Sequence, residues 1–179
     1  MRLSVKEISL IAIFPAMMAA TAGISIPIGS LPPLTLQTFF VFMAGLLLGP
    51  KMGSISMMIY VLMGVIGLPV FSQFRGGFDV IMSGSGGFII GFILSALFIG
   101  FMKNVKIINS NFNYIFIILL IGNALIYMCG AAYISYLLNI SIASIIATFT
   151  PYLLGDILKI LGALYVYSRI REYHTYAGL

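Results

Sequence analysis

Charge is scarce in this chain of 179 residues, which holds nine Lys and Arg, four Asp and Glu, and one His. Charged residues make up 7% of the sequence and apolar residues 61%. Ordinary globular domains carry about 25% charged residues. So few charges cannot cover the water-facing surface of a soluble domain. The composition therefore predicts a polytopic integral membrane protein with a single domain, residues 1–179.

Cysteine and histidine are nearly absent as well. The one cysteine, Cys129, lies in an apolar segment, which excludes a disulfide framework and a cysteine metal site. The one histidine, His174, lies in the polar C-terminal tail, which excludes a histidine relay or zinc site within a membrane. No Gly-Lys-Ser/Thr phosphate loop is present, so the chain has no visible means of hydrolysing ATP. We expect no metal and no cofactor.

What the sequence has in abundance is apolar runs. Six of them, separated by Gly, Pro, Ser and charged residues, predict an all-α bundle of six transmembrane helices. The predicted spans are residues 8–26, 35–49, 53–68, 87–102, 113–138 and 151–168. The N-terminus resembles a signal peptide in its basic and apolar regions. It lacks a convincing small-residue cleavage site, so we interpret it as the first span.

The basic residues are unevenly distributed between the two sides of this predicted bundle. With six spans both termini share a side, and that side holds seven of the nine basic residues: Arg2, Lys6, Lys51, Lys103, Lys106, Arg169 and Arg171. The opposite side holds Arg75. Because Lys and Arg favour cytoplasmic loops, we predict a plasma-membrane protein with both termini in the cytoplasm. The net charge of +5 then reflects topology and attraction to anionic lipid, not binding of nucleic acid.

One acid–base pair lies inside a predicted span. Asp156 and Lys159 are three residues apart, so on a helix they share a face. A charge at membrane depth costs about 3 kcal/mol on insertion scales, which indicates a functional site. At the helical rise the two residues lie about 8 and 12 Å below the outer helix end, within reach from outside. The alternative is an ion pair that only holds helices together, although buried pairs often add little net stability.

Other polar residues lie near the outer ends of the predicted spans. Thr35, Gln37 and Thr38 begin the second span, and Asn123 and Tyr127 lie in the fifth. Each can bind a small polar ligand, or form an interhelical hydrogen bond worth about 0.6 kcal/mol. Gln37 is favoured as a ligand contact because its expected depth matches that of the acid–base pair. The Gly-rich outer connection 69–86 has the backbone freedom to fold onto a ligand.

Small residues recur in the first span at every fourth position. Ala12, Ala16 and Ala20 form a strip that another helix can approach closely. The spacing alone does not distinguish a partner protein from packing within the same chain.

Two other classes of function are disfavoured, because the predicted spans lack the residues or the repeats that these classes need. An intramembrane protease needs a membrane histidine or two membrane acids, and the spans offer only Asp156. A proton-driven secondary transporter is expected to show inverted repeats, and none is convincing here.

Several long motifs resemble one family. The run ISIPIGSLPPLTLQTFFVFMAGLLLGPKMGSISMMIYVLMGVIGLPVF, followed by RGGF, GGFIIGF and PYLLGDILKILGA, resembles BioY, the biotin-binding S-components of energy-coupling-factor transporters. The resemblance implies a six-helix S-component-type bundle that binds biotin from outside with high affinity and has no catalytic chemistry. It implies three kinds of partner: a transmembrane coupling protein, two cytoplasmic ATPases and the bilayer. An S-component of this fold that binds another small vitamin is the alternative.

The resemblance also implies a site. The substrate contacts expected from it and from the polar residues above are Asp156 and Lys159 of the GDxxK motif, with Gln37, Thr35, Arg75, Gly77, Phe88, Asn123, Tyr127 and Tyr152. The strip Ala12, Ala16 and Ala20 is implied as the contact with the coupling protein. Biotin's ureido ring offers two N–H donors and one acceptor, which a carboxylate, an ammonium and an amide match. Its thiophane ring and valeryl chain suit apolar walls.

Overall fold

The structure, a computed structural model, describes residues 4–28, 31–103 and 111–176. This part of the chain is mostly helical. Its helices are α1 Val5–Ala20, α2 Gln37–Val65, α3 Phe78–Met82, α4 Gly86–Lys103, α5 Phe112–Leu138, α6 Ile142–Ala147 and α7 Tyr152–Tyr176, and its strands are β1 Ser25–Ile28 and β2 Leu31–Thr35. Three of these helices, α2, α4 and α5, have the length and apolar composition of membrane spans, with α2 counted over its full length.

Helix α1 begins at a capping box and ends earlier than the sequence predicts. The Ser4 side chain accepts from the Glu7 backbone N–H at 3.2 Å, and the Glu7 carboxylate accepts from the Ser4 N–H at 2.8 Å. The predicted continuation of this helix to residue 26 was wrong. The segment from Ser25 is extended instead, because it pairs antiparallel with β2, with Ser25 opposite Thr35. The apolar run after α1 therefore forms a β-hairpin with β2.

The second and third predicted spans form one element, α2, which folds back on itself. Gly49 has φ 75° and ψ −174°, outside the helical region, and Pro50 follows it. The Gln37 Nε2 atom lies 2.7 Å from the Tyr60 hydroxyl, 23 residues further along the chain. In a straight helix these residues would be about 34 Å apart. The two arms of α2, residues 37–48 and 50–65, therefore run antiparallel.

The other predicted spans agree more closely with the structure. Helices α4 and α5 match the predictions to within one residue at each end, and α7 starts one residue late and runs eight residues further. The connections 69–86 and 139–150, predicted as loops, contain α3 and α6. The six-span count and the cytoplasmic termini stay predictions. Arg2 and Lys106, which entered the orientation argument, lie outside the described residues.

Helix α1 contacts the rest of the bundle through one face. Ile11, Phe14 and Met18 are buried on this face, and the Ile11 carbonyl accepts from the Ser56 hydroxyl at 2.7 Å, which ties α1 to the second arm of α2. The strip Ala12, Ala16 and Ala20 lies on the opposite face and is exposed. These three alanines are therefore not used for packing within the described part of the chain.

Gly100 allows α4 to pack directly on the turn of α2, and replacing it tests that contact. A methyl group at residue 100 would lie 2.4 Å from the Gly49 carbonyl carbon and the Pro50 nitrogen, which are backbone atoms. We expect Gly100→Ala to lower stability by about 1–3 kcal/mol through overpacking, despite the gain of about 1 kcal/mol that Ala brings to a helix. The measurement is the thermal unfolding temperature of the detergent-purified protein.

The matched control is Gly162→Ala in α7. A methyl group there would lie 3.7 Å from the Phe39 ring, an ordinary contact, so we expect an unchanged or raised unfolding temperature. Equal unfolding temperatures for the two variants would contradict the close approach of α4 to the turn.

Candidate ligand-binding site

A cavity lies where the first arm of α2, α4, α5 and α7 meet, bordered by β2 and by the connection that follows α2. Its wall is mostly apolar and aromatic, with a few polar side chains. The lining residues are Pro32, Pro33, Leu34, Thr35, Gln37, Thr38, Phe71, Ser72, Val80, Ser85, Phe88, Ile89, Phe92, Ile126, Tyr127, Phe149, Tyr152, Asp156 and Lys159. Apolar walls with a few convergent polar groups are typical of small-molecule sites.

The acid–base pair lies on this wall. Asp156 and Lys159 are one helical turn apart in α7, and Lys159 Nζ lies 2.6 Å from Asp156 Oδ1. The ammonium also donates to Thr38 Oγ1 of α2 at 2.9 Å. Asp156 is only 3% exposed. An ammonium has three donors, and these two contacts use two of them, so Lys159 retains one donor for a ligand.

The second carboxylate oxygen of Asp156 is held by α5. Asn123 Nδ2 donates to Asp156 Oδ2 at 3.1 Å, and the Tyr127 hydroxyl donates to the same oxygen. Asp156 therefore has three donors from the protein itself, against the roughly four that a carboxylate accepts. The carboxylate is nearly saturated, so its main effect is to hold Lys159 and Tyr127 in place.

An aromatic wall, formed by Phe88, Tyr127, Phe149 and Tyr152, encloses the cavity beside this pair. The rings of Tyr127 and Phe149 are stacked with centroids 5.1 Å apart, while Phe88 and Tyr152 meet Phe149 edge-on at 5.5 and 6.1 Å. Such pairs add about 0.5–1.5 kcal/mol beyond their burial. The Tyr152 hydroxyl donates to the Pro32 carbonyl and so ties α7 to β2. The aromatic wall thus joins helices to the β-hairpin.

Gln37 contributes the amide of the site. It is 6% exposed and lines the cavity at the start of α2. Its Nε2 donates to the Tyr60 hydroxyl at 2.7 Å, and that hydroxyl donates to the Val70 carbonyl at 3.1 Å. The Gln37 Oε1 atom lies 3.4 Å from Thr35 Oγ1.

The structure brings most of the predicted substrate contacts together. Those on the cavity wall are Thr35, Gln37, Phe88, Tyr127, Tyr152, Asp156 and Lys159. Asn123 lies behind the wall and reaches the site through Asp156. The structure does not place Arg75 or Gly77 on the wall.

Arg75 and Gly77 lie instead in the connection that follows α2, where their backbones form hydrogen bonds. The Arg75 side chain is exposed, and its backbone closes a short turn with Phe71. The Gly77 N–H donates to the Gly64 carbonyl at 2.7 Å, and Gly77 has φ 108°, a conformation that favours glycine. Gly77 therefore docks the connection 66–77 against the end of α2.

Sequence reasoning missed the part of the wall that comes from the connections. Pro32, Pro33 and Phe149 line the cavity, and each lies outside the predicted spans. The Pro-Pro pair and the Thr-Pro pair before α7 were the available signals, because proline marks extended or turn backbone. Among the described residues, no group of three or more His, Cys, Asp or Glu side chains is placed to hold a metal ion.

Fold and site together define a helical membrane protein with a cavity for a small, partly polar ligand. The BioY family model matches residues 1–175, and the chain belongs to the BioY family. The family resemblance predicted from the motifs is thereby confirmed.

Relatives of known name agree with this assignment. The chain is 36% identical over 167 residues to the probable biotin transporter BioY of Pyrococcus horikoshii, covering 93% of this chain and 96% of that protein. It is 35% identical over 160 residues to the biotin transporter BioY of Thermotoga maritima, covering 89% and 92%. These relatives are transporters and not enzymes, as the sequence predicts for this chain.

A solved structure shares the fold. The S-component for biotin from an ECF-type ABC transporter matches with a TM-score of 0.87 and 32% sequence identity, covering 94% of this chain and 92% of that one. The S-component fold predicted from the sequence is therefore confirmed.

The ion pair generates a prediction about stability without ligand. Lys159→Met leaves the buried Asp156 carboxylate without an ammonium, which we expect to cost about 3–5 kcal/mol. The double variant Asp156→Asn with Lys159→Met removes both charges, so we expect it to unfold at a higher temperature than Lys159→Met alone. Thermal unfolding of the ligand-free protein measures both.

Lys6→Met serves as the control, because it removes an exposed lysine of α1 that lies away from the ion pair, and it is expected to have little effect. Asp156→Asn alone completes the cycle, and effects of the two single changes that add up to the effect of the double variant would contradict energetic coupling within the pair.

Proposed function

We propose that this chain binds biotin in the cavity and acts as the biotin-specific S-component of a vitamin importer. One observation carries the proposal: the buried pair of Asp156 and Lys159 opens onto an aromatic-walled cavity in a chain of the BioY family. The names of the Pyrococcus horikoshii and Thermotoga maritima relatives support biotin as the ligand.

The chemistry of the wall matches both the polar ureido ring and the apolar parts of biotin. The remaining donor of Lys159 suits the ureido carbonyl, and the Gln37 amide oxygen suits a ring N–H. The thiophane ring and valeryl chain fit against apolar side chains such as Phe88 and Phe149, where burial contributes about 25 cal/mol per Å² of apolar surface. Asp156 holds the ammonium in place, because its own oxygens are largely occupied.

The finer part of the proposal concerns transport. The chain binds biotin with high affinity from outside the plasma membrane and passes it inward when a transmembrane coupling protein and two cytoplasmic ATPases supply energy. The absence of a phosphate loop from the sequence supports an external energy source. The asymmetry of Lys and Arg supports cytoplasmic termini. The exposed strip Ala12, Ala16 and Ala20 supports a close helix contact with the coupling protein.

Direct binding tests the ligand. We expect the purified protein to bind biotin, and Lys159→Met to weaken binding about 10- to 150-fold, the equivalent of a lost charged hydrogen bond. The double variant Asp156→Asn with Lys159→Met also lacks the ammonium, so we expect it to lose affinity as well. Because it carries no uncompensated buried charge, this loss is not caused by a folding defect. Isothermal titration calorimetry measures each affinity, with Lys6→Met as the control that keeps normal affinity. A well-folded wild type that does not bind biotin would sink the proposal.

Uptake tests the coupling. In cells without their own biotin transport, we expect uptake only when the coupling protein and ATPases are co-expressed. Ala16→Leu places a bulky side chain on the exposed strip. We expect it to reduce uptake while biotin binding is kept, because a close helix contact needs small residues. Ala16→Ser keeps the residue small and should retain uptake. Equal uptake by the Leu and Ser variants would argue against the strip as the contact.

A further inference from the structure

Tyr60 is buried beside the cavity without lining it. It lies in the second arm of α2 and is 0% exposed. Its ring meets the Phe71 ring edge-on with centroids 5.5 Å apart, and the Phe92 ring lies at 6.4 Å. Both of those phenylalanines line the cavity. The Tyr60 ring therefore supports the wall from behind, while its hydroxyl reaches Gln37 and Val70.

The direction of these hydrogen bonds follows from what each group can do. A tyrosine hydroxyl donates one hydrogen, and a backbone carbonyl only accepts. The Val70 carbonyl belongs to a residue that is 4% exposed, and buried carbonyls need a donor. The hydroxyl proton of Tyr60 therefore goes to Val70. The hydroxyl oxygen is left to accept, and its partner at 2.7 Å must be the N–H side of the Gln37 amide.

This arrangement orients the Gln37 amide. Because Nε2 is committed to Tyr60, the carbonyl oxygen Oε1 lies on the other side of the amide, near Thr35 Oγ1 at 3.4 Å. That distance is long for a hydroxyl–carbonyl hydrogen bond, so Oε1 retains capacity for a better donor. The cavity wall thus presents an acceptor at Gln37.

We propose that Tyr60 is a positioning residue that fixes the Gln37 amide with its oxygen toward the ligand, so that the site selects ligands with a ring N–H donor. The proposal rests on the proposed function, since biotin's ureido ring supplies such a donor. It adds that selectivity at this position is set by a residue that does not touch the ligand.

The selectivity for a ring N–H donor is measured by removing one ring N–H from the ligand. The probes are biotin and the two cyclic carbamate analogues in which one ureido N–H is replaced by an oxygen. In the wild type we expect one analogue to bind about 5- to 150-fold more weakly than biotin, the equivalent of about 1–3 kcal/mol for an unpaired buried acceptor. Calorimetric titration gives the ratio of dissociation constants for each analogue.

Tyr60→Phe keeps the ring and removes the hydroxyl. The Gln37 amide can then turn over and offer N–H to the ring oxygen, so we expect the ratio for that analogue to fall at least about fivefold. If Tyr60 only supports packing, biotin and the analogue weaken together and the ratio stays as in the wild type, which overturns the proposal. Tyr114→Phe is the matched control. The Tyr114 hydroxyl contacts Met102 Sδ at 4.0 Å, and neither residue lines the cavity. We expect it to leave the ratio unchanged.

Gln37→Met tests the acceptor on which the inference depends, including in the case that Tyr60→Phe does not fold. Methionine has a similar length and no amide, so the ratio is expected to fall with Tyr60 in place. A Gln37→Met protein that keeps the wild-type ratio overturns the inference. A wild type that does not bind biotin defeats the proposed function and the inference together, whereas biotin binding with unchanged ratios defeats the inference alone.

Discussion

The buried ion pair of Asp156 and Lys159 is the constraint that the bundle must satisfy. Two charges in an apolar interior are tolerated only when each is paired and hydrogen-bonded. Helix α7 cannot supply all of these partners. Thr38 comes from α2, and Asn123 and Tyr127 come from α5. Three helices therefore have to converge on one point, and that point is the polar end of the cavity. The pair is therefore both an electrostatic cost to the bundle and the polar end of its cavity.

Much of the fold could be predicted because hydropathy reports which segments leave water. The predictions for α4 and α5 hold to within one residue, and the acid–base pair stood out because charge is rare in apolar runs. Hydropathy does not report which backbone partner a segment finds. The residues after α1 are as apolar as a helix continuation, but they pair with β2. The fold-back at Gly49 was predicted as the connection between the second and third spans, but a hydropathy pattern does not contain the close approach of α4 to this turn.

The site was predictable in proportion to how unusual its residues are. Gln37, Asn123, Asp156 and Lys159 are polar residues in apolar surroundings, so each stood out. Pro32 and Phe149 did not, because an apolar residue on a cavity wall looks like any other apolar residue in sequence. Arg75, expected as a substrate contact, lies off the cavity wall, and its role stays a prediction. A charge in an exposed connection is solvated and costs little, so its rarity in this chain did not place it at the ligand cavity.

The folding of α2 and the chemistry of the site depend on the same contact. The hydrogen bond from Gln37 to Tyr60 crosses between the two arms of α2, so it exists only when the turn at Gly49 sets the arms in register. Moving the second arm by one residue would rotate its side chains by about 100° and carry the Tyr60 hydroxyl away from Gln37. The amide would then lose the partner that orients it. The backbone conformation of Gly49, at the far end of both arms, is therefore coupled to the hydrogen bond that orients the Gln37 amide.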